Sequence, residues 1–347
     1  MNTITEYKLN WPSTSTMSTH ELVCDASGIY VSGQNMNCLA KVTYDGHITF
    51  HPFEGNPGPH GLLIDAKGRL WVSFEFEGRV VCLDKDFKIV QSVDVRMYTQ
   101  GAKTPINPAP HGIGLDADGE TIWFTGKRTS TLGKINPNGT VEHFELPQLA
   151  AMPIFLSAGP YKAEPDKKMW GTQLLGNKIY NATKDGVVKE FPIPTANSRP
   201  IAIIPDPAGD FMWFTEEAGN KIGRIDVDGN ITEFSVPMVQ KNVILGSLSF
   251  DNEGNIWVQC YVKHDAPMSM DHHEMGGMQQ SVAENDYVVK FDKSIRQSPN
   301  GDIAGVPILW YKTPSQRTMM HRIRMGMDGN LWFTEMDTDT LGKITLR

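Results

Sequence analysis

Seven consecutive units recurring with a period of about 40–50 residues, six reading as four short strands with turns that usually carry Gly and the last as three, predict an all-β, seven-bladed β-propeller. A further observation supports closure: the last unit stops one strand short, and the chain opens on a strand resembling the missing one. Helical repeats of similar period are disfavoured, because the apolar residues alternate with period two and Gly interrupts them.

The clearest unit spans residues 110–147, PHGIGLDADGETIWFTGKRTSTLGKINPNGTVEHFELP. HGIGLD alternates, TIWFT is β-rich, and LGKIN and TVEHFEL flank a turn at Asn138-Gly139, where Gly supplies positive φ cheaply. Aligned on the aromatic of the second strand, the units cover 19–53 (Tyr30), 59–93 (Trp71), 110–147 (Trp123), 153–194 (Trp170), 200–237 (Trp213), 244–312 (Trp257) and 320–347 (Trp332). The fourth carries an expanded first turn at 159–168. The sixth has a Met/His-rich insertion at 261–286 and a long connection at 294–307. ITEYKLNWP at 4–12 matches ITEFSVP at 231–237, so residues 4–9 are expected to complete the last blade and residues 1–347 to form one propeller domain.

A net charge of −8 and a pI near 5.7 argue against nucleic acid, and the sequence contains no apolar run long enough to span a membrane. The opening residues lack a charged-then-apolar leader, and Cys24, Cys38, Cys82 and Cys260 show no metal or disulfide spacing. The expectation is a cytoplasmic protein with reduced thiols, monomeric or weakly homo-oligomeric, acting on a small molecule.

The innermost strand of each blade lines the central channel, so the residues heading those strands form a ring. The alignment places His20, His60, His111, Ile154, Ile201, Gly246 and His321 there. A single such histidine is ordinarily a packing residue; four in neighbouring blades suit a shared divalent metal when neutral. The second strand returns to the same mouth with Glu75, Gln173, Glu216, Glu217 and Glu335. Glu75 and Glu335, in histidine-bearing blades, are the candidates to complete a metal shell or orient a ring. Glu216 and Glu217 read as repeat consensus on a surface turn. In the insertion, His264, His272, His273 and Glu274 are within reach of the channel, and Met268, Met270, Met275 and Met278 offer an adaptable cover. A lid or oligomer contact is the plainer reading, with Cu(I) binding as the alternative. No P-loop, GxGxxG, GxSxG or HExxH motif is present.

The 110–147 unit, MWFTEEAGNKIGRIDVDGNITEFSVP at 212–237 and HRIRMGMDGNLWFTEMDTDTLGKI at 321–344 resemble the streptogramin B lyase (virginiamycin B lyase) family of seven-bladed propellers. The resemblance covers nearly the whole chain apart from the sixth-unit insertion. It implies a metal-dependent enzyme, with magnesium as the metal, that opens a cyclic depsipeptide at its ester by β-elimination. On this resemblance His321 falls at the catalytic last-blade histidine, and Glu335 near a metal carboxylate with its spacing to the strand aromatic changed by one. Met319 stands where the family has another metal carboxylate and Gly246 where it has a histidine; this chain carries His20, His60 and His111 instead.

The first expectation is therefore a metal-dependent lyase acting on a small ester, lactone or related molecule. Its catalytic residues are His321 and Glu335, and its metal ligands His20, His60, His111, His321 and Glu75. The cofactor is a divalent metal: Mg by resemblance, with Fe, Mn, Cu or Zn favoured by the nitrogen-rich donors. Two alternatives stand beside it: a four-histidine non-haem iron or copper oxygenase on the same scaffold, and a non-catalytic ligand- or protein-binding propeller.

Overall fold

The computed structural model describes residues 2–12, 17–159, 167–263 and 285–346. Its strands form seven four-stranded antiparallel sheets, and in six of them the strand order follows the chain. These blades, numbered 1 to 7, begin with the inner strands Thr19–Asp25, Pro59–Ile64, Pro110–Leu115, Pro153–Ala158, Pro200–Pro205, Val243–Phe250 and Met320–Met325. Each inner strand contacts those of the neighbouring blades, and blade 1 contacts blade 7, so the ring closes. In blade 7 the outer strand is Thr3–Lys8, paired antiparallel with Thr340–Thr345 from Thr3↔Thr345 to Lys8↔Thr340. The closing strand expected at 4–9 thus lies one residue earlier, and Leu9 is buried just past its end.

Strands become blades because each second strand carries a large aromatic, tryptophan in six blades and Tyr30 in blade 1, that must bury its ring and satisfy its N–H or O–H. In five blades the indole Nε1 donates to an aspartate that closes the preceding turn: Trp71 to Asp65 (3.0 Å), Trp123 to Asp116 (2.9 Å), Trp213 to Asp206 (3.0 Å), Trp257 to Asp251 (2.8 Å) and Trp332 to Asp328 (3.1 Å). Asp65 also accepts from the Lys67 and Arg69 amides, so one side chain fixes both the turn and the ring.

The core lies between blades rather than within them. Trp71, Val80 and Val93 of blade 2 pack with Ile113, Phe124 and Ile135 of blade 3, and Trp332 and Leu341 of blade 7 pack with Leu22, Ile29 and Val31 of blade 1. Room for the second-strand phenylalanines comes from glycine on the third strand. A Cβ at Gly133 would lie 1.8 Å from the Phe124 ring, and Gly223 and Gly342 face Phe214 and Phe333 in the same way. Blade 4 inverts the pair, with Gly171 on the second strand and Tyr180 on the third.

In blade 6 the second strand is Ile256–Val262. The long connection after the third strand holds two short 3-10 turns, Lys293–Gln297 and Pro299–Gly301. Residues 264–284, which include the insertion's histidines and methionines, lie outside the described residues. Among the described residues no helix is long and apolar enough to cross a membrane, and all four cysteines are free.

Candidate functional site

The inner strands are interrupted at the same place in every blade. The register shifts between Thr19 and Leu22, Pro59 and Leu62, Pro110 and Ile113, and Met320 and Ile323, and likewise in blades 4, 5 and 6. Such bulges free a backbone amide and re-aim a side chain. The freed amide is taken up by a hydroxyl two residues past the second-strand aromatic: Gly61 N by Ser73 (2.7 Å), Gly112 N by Thr125 (2.9 Å), Glu21 N by Ser32 (3.0 Å) and Arg322 N by Thr334 (3.0 Å). Two of these hydroxyls then donate to the ring residue of the next blade, Ser73 to the His111 carbonyl (3.1 Å) and Thr334 to the His20 carbonyl (2.6 Å). His111 and His20 are therefore set in register by the preceding blade.

The structure brings all four together. Ring centroids lie 3.7 Å apart for His60 and His111, 5.2 Å for His20 with either His60 or His321, and 5.5 Å for His60 and His321. His60 Nδ1 is 3.3 Å from the His111 carbonyl, His111 Nδ1 is 3.0 Å from the Ile154 carbonyl and His20 Nδ1 is 2.6 Å from the Ser18 carbonyl. A carbonyl only accepts, so each Nδ1 carries the proton and Nε2 keeps its lone pair. Burial, and then the neighbouring imidazole His111, hold His60 well below the usual histidine range; burial and then Lys127 do the same for His111. Neutral imidazoles are the ligating form.

His321 is held differently. Its Nδ1 lies 3.5 Å from Oε1 of Glu21, the residue following His20 on the blade 1 inner strand. Glu21 is buried and ion-paired with Arg322, which also donates to Ser247 (3.1 Å) and lies over the Phe155 ring. Burial alone would raise the Glu21 carboxyl, but Arg322 and His321 outweigh it and hold it well below the usual carboxylate range. A fixed carboxylate thus faces one nitrogen of His321 while the residue lines the cavity.

A second ring stands above the histidines, four residues past each second-strand aromatic: Gln34, Glu75, Lys127, Leu174, Glu217, Tyr261 and Met336. Glu75 belongs to it. Its Oε2 accepts from Gln34 (2.9 Å) and its Oε1 from Lys127 (3.0 Å). Glu217, read from sequence as a surface-turn residue, is instead buried, lines the cavity and binds Arg199 Nε at 2.6 Å. Burial raises its carboxyl despite Arg199.

Glu335 sits one residue earlier in this register, with Gln173 and Glu216, and one residue in a strand reverses the face. It does not line the cavity. Its Oε2 accepts from Thr338 (3.2 Å), its Oε1 has no hydrogen bond, and burial and then Glu6 of the closing strand push it well above the usual carboxylate range. The structure therefore brings His20, His60, His111, His321 and Glu75 together and leaves Glu335 out, because the sequence alignment merged two adjacent positions. Sequence reasoning missed Gln34, Lys127, Glu21 and Arg322. Their signal was present: Glu21 and Arg322 stand where other blades carry Gly, Ala, Ser or Phe, and Gln34 and Lys127 share the position of Glu75.

The cavity is about 220 Å³. His20, His60, His111 and His321 line one side, and Met152, Ile154, Leu174, Leu175, Ile201 and Met336 supply the apolar lining. Among the described residues, ligand atoms of His60, Glu75 and His111 all lie within 4.8 Å of one another, with the group buried. Magnesium, which prefers oxygen donors, does not fit this set; two imidazoles and one carboxylate suit Mn, Fe, Zn or Cu.

Comparison with known proteins places the chain. The sequence profile of the Virginiamycin B lyase family matches residues 88–265. A virginiamycin B lyase from Nocardia farcinica is 28% identical over 188 residues, which are 54% of this chain and 60% of that protein, so the match spans less than two thirds of the relative's length. A streptogramin B lyase structure superposes with a TM-score of 0.76 at 21% identity, covering 100% of this chain and 98% of the other. The Staphylococcus aureus virginiamycin B lyase gives a TM-score of 0.75 at 24% identity over 100% of both chains. That enzyme is also solved as a catalytically inactive histidine-to-alanine variant with quinupristin. At these identities the structural matches speak for the fold.

Proposed function

The chain belongs to the virginiamycin B lyase family, and from that membership we propose that it is a lyase acting on a small ester- or lactone-type molecule at the histidine-lined mouth. The observation that carries this reading is the Glu21–His321 pair. A buried carboxylate kept ionised by Arg322 stands 3.5 Å from Nδ1 of His321, which has no other hydrogen-bond partner; closing that contact into a hydrogen bond makes the opposite imidazole nitrogen a positioned base. The substrate's apolar body packs against Ile154, Leu174, Leu175 and Ile201, which presents its polar end to the histidines.

In the proposed reaction, His321 Nε2 takes the proton α to the carbonyl, the C–H pair becomes the new double bond, and the β C–O bond breaks. The leaving oxygen departs with its electron pair as a carboxylate, and the proton remains on His321 until it returns to product or solvent. Lys127 and Arg199, at the cavity margin, are placed to receive negative charge, although each is already engaged by Glu75 or Glu217. His60, His111 and Glu75, with His20 beside them, are proposed to hold a divalent transition metal. When bound, it supplies Lewis-acid stabilisation of charge on the carbonyl oxygen.

Membership of a family of lyases weighs against the oxygenase and pure binding readings. Metal analysis of tag-free protein tests the metal assignment: near-stoichiometric Mn, Fe, Zn or Cu is expected, lost in a His60→Ala/His111→Ala double variant that keeps its β-sheet circular dichroism. His321→Ala is expected to keep the metal and lose elimination at least a hundredfold against a panel of lactones and cyclic depsipeptides. Metal retained in the double variant, or turnover retained without His321, would overturn the corresponding assignment.

A further inference from the structure

Below the histidines the channel opens into a second chamber of about 550 Å³, within the range of small-molecule sites. Leu62, Ile113, Phe155, Leu248, Ile323 and Met325 are among its walls, and no Asp or Glu among the described residues lines it. The residues paired with the second-strand aromatics set one level of this chamber. They are Val23, Leu63, Gly114, Ser157, Ile204 and Ser249 in blades 1 to 6, and Arg324 in blade 7. Arg324 is the one charge at that level.

Its Nε is buried without a hydrogen bond, and no acidic side chain of the described residues forms an ion pair with it. The neighbouring Arg322 is ion-paired with Glu21, which attracts Arg324 only at longer range, so no carboxylate of the described residues contacts the Arg324 guanidinium. A partly buried guanidinium against apolar walls is costly unless an anion meets it, and its planar fork matches a carboxylate. We propose that this chamber is a second binding site, for a small organic carboxylate with an apolar body. The carboxylate sits on Arg324 and the body lies along the Leu62, Ile113 and Leu248 side chains. Arg322 lines this chamber and not the histidine cavity, and the two cavities share no lining residue, so the two sites are expected to be occupied independently.

Octanoate is the probe, titrated calorimetrically into the full chain, with octanamide as the uncharged control. Octanoate is expected to bind with one-to-one stoichiometry, and octanamide at least tenfold more weakly. Arg324→Gln should weaken octanoate at least tenfold. Ser249→Asp, which adds a carboxylate at the same level and leaves the arginine in place, should do the same. Lys127→Gln, at the other mouth, should leave the Kd within twofold. Absence of octanoate binding at millimolar concentration, equal binding by Arg324→Gln or Ser249→Asp with native circular dichroism, or loss of binding in Lys127→Gln would overturn the proposal.

Discussion

Lys127 and the imidazoles of His60 and His111 act on the mouth in opposite senses. The imidazoles, kept neutral by burial, offer lone pairs to a cation, while the Lys127 ammonium already sits 3.0 Å from the Glu75 carboxylate that a cation would share. A divalent ion placed there feels a unit positive charge within a few ångströms in a partly buried setting, a penalty of roughly 2–8 kcal/mol for effective dielectrics between those of water and a protein surface. Lys127→Gln removes that charge and frees one oxygen of Glu75. It is therefore expected to tighten Zn²⁺ or Mn²⁺ binding on the order of tenfold or more, measured by competition with a chelator of known affinity. Weaker binding in the variant would mean that Lys127 positions Glu75 rather than opposing the metal.

At the scale of the element, the end of the second strand carries a repeated pairing with the fourth. In blade 4 the Gln173 amide donates to Glu190 at 2.7 Å. Blades 5 and 7 place Glu216 beside Glu233 and Glu335 beside Glu6, and burial followed by the facing carboxylate raises both, Glu216 to about 8. A protonated glutamic acid has the shape of glutamine, so Glu216 and Glu335 behave as neutral partners of a second carboxylate. Below about pH 4.5 the folded and unfolded chains both hold this proton. As pH rises from there to 8, the unfolded chain releases it while folded Glu216 retains it, so stability falls through that window and the loss levels off above it. Glu216→Gln is expected to be more stable than the parent by about 1–3 kcal/mol at pH 8 and little different at pH 4.5, read by urea denaturation at both. An advantage equal at both pH values would refute a titration origin. This pairing also shows which parts were legible in the sequence. The turns and the second-strand aromatics announce themselves locally, so the seven blades, the missing strand and the four ring histidines follow from alignment alone. Glu75 and Glu335 looked equivalent because each closes a WVSFE or WFTE string, yet they lie four and three residues past the tryptophan and face opposite sides. Glu21 and Arg322 were hidden because their pairing joins the first blade to the last, 301 residues apart in the chain.

For the whole molecule, that junction between first and last blades decides whether the site exists. His20 and Glu21 come from blade 1 and His321 and Arg322 from blade 7, so half of the catalytic proposal depends on the ring being shut. Closure rests on two devices. The outer strand Thr3–Lys8 pairs along Thr340–Thr345, with Tyr7 stacked on Trp332 at 5.5 Å. Asp339 then accepts from the Ser18 amide (2.9 Å), the Thr19 amide (3.1 Å) and the Thr19 hydroxyl (2.9 Å), while its own carbonyl accepts from Leu9 N (2.9 Å). One aspartate thus ties the closing strand, the first inner strand and the last blade. Asp339→Ala leaves two buried amides without an acceptor and is expected to cost about 2–4 kcal/mol, with a fall in Tm of several degrees. Because the knot lies next to His20, metal retention and elimination should fall with it, by more than the loss of folded protein explains. Deleting residues 2–9 removes the whole strand, bares the Thr340–Thr345 edge and should lower Tm by on the order of 10 °C while promoting self-association through the open edge. Size-exclusion chromatography with light scattering and thermal denaturation distinguish the two variants. If Asp339→Ala keeps native metal content and turnover at temperatures where it is fully folded, the site is held by blades 2 and 3 alone and the Glu21–His321 pair is not its organising contact.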